Sequence, residues 1–135
     1  MATVSEDLKT FTIADSTVGA LVADRMHELH VPQTSLKPYI YYSRIGTEDE
    51  RAMDSAAGDA PFRHQYIVEC WGTTPSMADS IADAVRDRLN NYRGTLGSRT
   101  VQGVFVQSQS DDYDPRSDGS DRGFFLNALT VEVCL

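Results

Sequence analysis

Apolar and polar positions are most regularly ordered between residues 37 and 96, and that order predicts strand, open loop, strand, helix. In the first strand, 38–45, successive side chains point to opposite faces. Tyr39, Tyr41, Ser43 and Ile45 therefore share one face, and Ile40, Tyr42 and Arg44 share the other. Bulky residues on both faces predict a sheet covered by helices on one side and by something else, such as a partner subunit, on the other. Residues 46–61 are rich in Glu, Asp, Ala, Ser and Gly. They have too little apolar surface to offset the entropy of ordering, so they read as a long hairpin tip. The second strand, 62–71, puts Phe62, His64, Tyr66, Val68 and Cys70 on its core face and Arg63, Gln65, Ile67, Glu69 and Trp71 on the other. A helix over 74–92 follows. Thr74 is its N-cap and Pro75 its first residue, Met77, Ile81, Val85 and Leu89 form its apolar stripe, and Gly94 is the breaker beyond it.

The flanking stretches are shorter or less regular. Ser5 reads as the cap of a first helical segment, with Glu6 and Asp7 in its first turn and Leu8 and Phe11 on its stripe. Asp15 and Ser16 cap a second, with Val18, Leu21 and Val22 facing the core. Residues 25–31 alternate and read as a short strand or extended segment that Pro32 ends. Residues 101–107 read as a strand with a bulge at Gly103, and 108–121 as a second polar loop. In the last strand, 122–135, Phe125, Asn127, Leu129, Val131 and Val133 form the row that is more apolar toward the end. The fold class predicted from this pattern is α+β: a mainly antiparallel sheet of four to five strands flanked by helices, one of them long. One domain spans 1–135, with long polar loops at 46–61 and 108–121 and no repeat or linker.

Charge narrows the function. Twelve Lys and Arg face twenty Asp and Glu, a net charge of -8. That balance argues against a sequence-blind nucleic-acid binder, which needs a basic face, and against docking on an anionic membrane. No apolar run approaches a membrane span, and the first residues lack the pattern of a secretory signal. Cys70 and Cys134 lie in apolar runs and read as buried free thiols. His27 and His30, three apart on a strand, fall on opposite faces and read as surface residues rather than a metal pair. His64 has no nucleophile pattern around it and reads as a strand histidine. The acids Asp111, Asp112, Asp114, Asp118 and Asp121 fail the calcium-loop template, because Arg116 takes the fifth position and no Gly takes the sixth. No phosphate-binding loop, zinc-protease helix or paired-carboxylate catalytic site is present, and neither a metal nor a cofactor is expected.

Taken in order, certain residues resemble a known family. These are Val31-Pro32-Gln33, Lys37-Pro38-Tyr39-Ile40-Tyr41-Tyr42 with Arg44, Arg63-His64-Gln65-Tyr66-Ile67-Val68-Glu69-Cys70-Trp71-Gly72, and the Ala-rich helix 78–89. The pattern resembles the tail completion, or tail terminator, proteins of long-tailed bacteriophages over about residues 15–133. The resemblance implies a non-enzymatic virion protein at the head–tail interface, assembled in the host cytoplasm. It implies a homo-oligomeric ring, commonly a hexamer, that caps the tail tube, stops its growth and meets head completion protein. DNA passes through the ring without sequence-specific binding. The family has no catalytic residues to carry over. Tyr39, Tyr41, Tyr42, Arg44, Arg63 and Trp71 are candidate contacts with neighbouring subunits or partners. Glu48, Asp49, Glu50, Asp54, Asp59, Asp111, Asp112, Asp114, Asp118 and Asp121 are candidate channel or interface acids. Competing readings are a head-side connector or tube subunit, and a small enzyme or ligand-binding domain.

Overall fold

The computed structural model describes residues 3–30, 38–49, 62–97, 99–114 and 124–134. Two helices open the chain, α1 (Val4–Ile13) and α2 (Ser16–Val22), followed by β1 (Met26–Glu28), β2 (Tyr39–Asp49) and β3 (Phe62–Gly72). Then come α3 (Pro75–Leu89), β4 (Tyr92–Leu96), β5 (Arg99–Asp114) and β6 (Phe124–Cys134). The strands form one curled sheet in the order β1-β2-β3-β6-β5-β4. β1 runs parallel to β2, and every other neighbouring pair is antiparallel.

This corrects the predicted fold class. The sheet has six strands rather than four or five, it is mixed, and its helices are short. The helix predicted over 74–92 stops at Leu89, and Tyr92 already belongs to β4. Asn90 caps α3 in an extended conformation and Asn91 has φ 63°, so the chain reverses directly into a strand. Tyr-Arg-Gly-Thr-Leu is too short to show alternation, so its pattern reads as a helix end. β5 likewise runs to Asp114, well into the predicted loop at 108–121. Its polar half has no apolar row, yet Ser108 to Asp114 pair residue by residue with Thr130 to Phe124 of β6. β2 continues through the start of the other predicted loop to Asp49. The irregularity expected at Gly103 is present on the β4 side, where the register shifts between Val101 and Val104, and a second shift lies between Val106 and Ser108 on the β6 side.

The core lies between one sheet face and the helices. Tyr66, Val68 and Cys70 of β3 and Leu129, Val131 and Val133 of β6 are buried there, as the alternation predicts. α3 covers them with Ile81, Val85 and Leu89, each fully buried and each contributing about 2 kcal/mol of apolar burial. Thr74 caps α3 by accepting the Met77 amide at 3.1 Å, and Pro75 follows it.

The cap of α1 is Thr3, not Ser5. The Thr3 hydroxyl accepts the Glu6 amide at 3.1 Å and the Glu6 carboxylate accepts the Thr3 amide at 3.4 Å, a reciprocal capping box. Ser5 is thereby placed inside the helix and buried, its hydroxyl 2.9 Å from the Tyr66 hydroxyl. Asp7, also buried, forms an ion pair with Arg99 at the start of β5. Gly97, beside that pair, has φ +62°. Both cysteines are free thiols. Cys70 is buried as expected, and its pKa is pushed up by burial and then by Glu69, whereas Cys134 is only half-buried.

Candidate assembly surfaces

The sheet face away from the helices carries four of the six candidate contact residues. Tyr39 stacks on Trp71 across the β2–β3 ladder, with ring centroids 6.1 Å apart and planes 18° from parallel. Tyr39 also meets His27 of β1 edge-on at 6.3 Å. The Trp71 indole donates to Glu69 Oε1 at 3.1 Å. Tyr41, Ile67, Leu126 and Ala128 are half-buried on the same face, and Phe105 of β5 is 42% exposed. At its other end Arg63 lies 3.7 Å from Glu132, which also accepts from Gln107 at 2.5 Å and from Cys134 Sγ at 3.3 Å. Tyr39, Tyr41, Arg63 and Trp71 are thus brought together on one broad, partly apolar surface.

Tyr42 and Arg44 are not part of it. Tyr42 is 2% exposed among the helices and donates its hydroxyl to the Ser5 carbonyl at 3.1 Å. Burial first, then nearby Glu28, raises its pKa. Tyr42 is core, and alternation does not separate it from its neighbours, since both faces of β2 carry tyrosine. Arg44 is exposed where β2 passes beyond the helical layer. His64 is buried on that side, with Nδ1 3.4 Å from the Thr47 hydroxyl. Burial, then Arg44 and Arg99, lower its pKa.

The strand edges form a second surface, which the sequence did not reveal. β1 covers β2 only over Ile40 to Tyr42, and no described strand pairs with Ser43 to Asp49 on that side. β4 covers β5 only from Arg99 to Val104, and no described strand pairs with Gln107 to Asp114 beyond it. The ladder registers put these two open edges at opposite ends of the sheet, on its two opposite sides. Uncovered strand edges offer rows of backbone donors and acceptors to another chain.

The candidate acids divide among several environments. Glu48 and Asp49 end β2, and Asp111, Asp112 and Asp114 lie in β5 rather than in a loop. Glu50, Asp54, Asp59, Asp118 and Asp121 lie outside the described residues. Asp111 meets Asp79 of α3 through Asn127 of β6, whose Nδ2 donates to Asp79 Oδ1 at 2.9 Å and to Asp111 Oδ1 at 2.7 Å. The Asp79 charge, ahead of desolvation, raises the Asp111 pKa. These three residues come from separate stretches with no shared spacing, so no sequence signal points to them. Among the described residues, no group of three His, Cys, Asp or Glu side chains is placed to hold a metal ion, and no helix is long and apolar enough to cross a membrane.

A mixed sheet with open edges and one partly apolar face offers surfaces on which other chains can pair and pack. Residues 7–126 match the family described as tail completion protein gp17, and the chain belongs to that family. It is therefore a structural component of a phage-type virion tail. A solved chain from the virion of a native gene transfer agent particle shares the fold, with a TM-score of 0.66 at 18% identity. The match covers 94% of this chain and 90% of that one. A second solved structure, 12% identical, has a TM-score of 0.49 over 96% of this chain and 94% of the other. No curated protein matches the sequence.

Proposed function

We propose that the protein forms a closed ring, of six subunits by family resemblance, that caps the tail tube, ends its polymerisation and joins the tail to the head. The observation that carries this reading is the pair of open strand edges, Ser43 to Asp49 of β2 and Gln107 to Asp114 of β5. They are different surfaces on opposite sides of one sheet. A contact between them is head-to-tail, and such contacts close into rings when the rotation permits. β2 and β5 run in opposite directions within the sheet. A neighbour related by rotation about a ring axis therefore presents its β2 antiparallel to β5, the geometry of strand addition. The offset of the two edges along the strands supplies the stagger that a closed sheet needs.

The partly apolar face with Tyr39, Tyr41 and Trp71 serves as the second contact area, toward tube protein or head completion protein. The acidic segments around 46–61 and 108–121 face the channel or the ring neighbours, where like charge keeps passing DNA from adhering. The protein has no enzymatic role in this scheme, acts in the virion after assembly in the host cytoplasm, and binds DNA in no sequence-specific way. The origin of the similar fold, a virion particle, supports the same reading.

Native mass spectrometry and electron microscopy, alone and with tail-tube protein, test it. Closed rings that stop tube growth are expected. An obligate monomer that never joins a tube end, or growth into filaments, overturns it. Charge reversal in each acidic segment should lower DNA retention in assembled particles. Unchanged retention and assembly would remove the channel role of the acids.

A further inference from the structure

We infer that Arg44, at the open edge of β2, forms an ion pair with Asp111, at the open edge of β5 in the next subunit, and that this pair sets the register in which neighbouring chains join. The inference rests on the ring reading above and names the side chains that select the partner, a second copy of this chain. Both residues are exposed. Arg44 lies opposite Tyr66 in the β2–β3 ladder, and Asp111 lies opposite Asn127 in the β5–β6 ladder. Tyr66 is buried against α1, and Asn127 donates to Asp79 of α3, so Arg44 and Asp111 both stand on the helix side of the sheet. Within one subunit β3 and β6 separate them by about 14 Å of sheet, beyond the reach of an arginine. Among the described residues, neither has an ion-pair partner. Asp111 accepts only a neutral donor, Asn127 Nδ2 at 2.7 Å, and faces the like charge of Asp79.

A rotation about the ring axis carries the helix side of one subunit onto the helix side of the next. Strands paired in one ladder share their faces, so Arg44 meets β5 at the level of Gln109, Asp111 or Tyr113, and a slip of one residue would set it on the wrong face. At the level of Gln109 the overlap fails. Glu48 then reaches Val106, whose amide is already taken by Asn90 Oδ1 at 3.1 Å. The other two registers lay the open part of β2 along the open part of β5, with Ile45 as the extra residue where the β2–β3 register shifts. In one of them Asp111 is directly across from Arg44. In the other it is the diagonal neighbour, which a long side chain still reaches. Both set Glu48 opposite a serine, Ser108 or Ser110, and neither sets acid opposite acid. A joint between two β5 edges would instead gather the acids of both copies, which like-charge repulsion opposes. Charge therefore selects the head-to-tail joint and holds it in register.

Native mass spectrometry over a concentration series tests the contact on the full chain. Arg44→Asp and Asp111→Arg should each raise the concentration for half-assembly into rings by about tenfold or more, since each sets like charges together at every joint. The double variant exchanges the two charges and should assemble within about threefold of the parent. Arg44→Asp combined with Asp112→Arg should stay impaired, because Asp112 lies opposite Leu126 in the ladder and so stands on the other face. Both sites of the pair are exposed, so the Tm of the dissociated variants should stay within a few degrees of the parent, which separates assembly from folding. Rings from Arg44→Asp at the parent's concentration overturn the contact and leave the ring reading standing. Equal rescue by Asp112→Arg, or none by Asp111→Arg, overturns it as well. A parent chain that stops at a monomer or a dimer removes the ring reading and the contact with it.

Discussion

Gly97 and Asp7 are expected to be coupled energetically, and the structure sets the size of that coupling. Gly97 has φ +62°, where an Ala is disfavoured by about 1 kcal/mol. A Cβ at Gly97 would also lie against the Asp7 carboxyl, well inside van der Waals distance, and would drive it away from Arg99. The Asp7 side chain is 8% exposed and that of Arg99 25%. Losing one partner of a fully buried pair costs about 3–5 kcal/mol, and the partial exposure of Arg99 reduces this to about 2 kcal/mol. Gly97→Ala should therefore destabilise the fold by about 3 kcal/mol in all. In an Asp7→Ala background the collision and the pair are already gone. The same glycine substitution should then cost only about 1 kcal/mol, a coupling of about 2 kcal/mol. Asp7→Ala also removes an acid from the first turn of α1, but the double-mutant cycle cancels that contribution. Urea unfolding of the four proteins measures the coupling. Additivity within about 0.5 kcal/mol would refute the proposed link between α1 and the turn before β5.

Ile81→Ala removes a fully buried side chain at the centre of α3 and should cost about 2–5 kcal/mol in urea unfolding. Because burial holds the folded-state His64 pKa below 6.5, the unfolded chain binds more protons between the two values. Stability should therefore fall as pH drops from 7 through that window. His64→Gln should flatten the dependence only in part, since His27 is shifted in the same direction. Tyr41→Ser, on the half-buried outer face, should leave the Tm of an isolated subunit within a few degrees while reducing association with tube protein or head completion protein. A collapse of the Tm would place Tyr41 in the fold instead.

The sequence by itself determined the elements whose side chains repeat on one face: the buried rows of β3 and β6, the stripe of α3, and the Thr74–Pro75 start. Each is encoded locally, by a period of two or 3.6 and by cap chemistry. The ordered residues of β2, β3 and α3 also sufficed for the family. The tertiary structure decided what depends on backbone pairing between distant segments. The polar half of β5 is a strand because β6 lies beside it, and β4 exists because the chain reverses at Asn90 and Asn91. Side-chain pattern carries no record of either. Which face of β2 is buried was likewise settled by α1 packing on Tyr42, since tyrosines line both faces. The meeting of Asp79, Asp111 and Asn127 is a product of the β5–β6 register and of α3 packing across it.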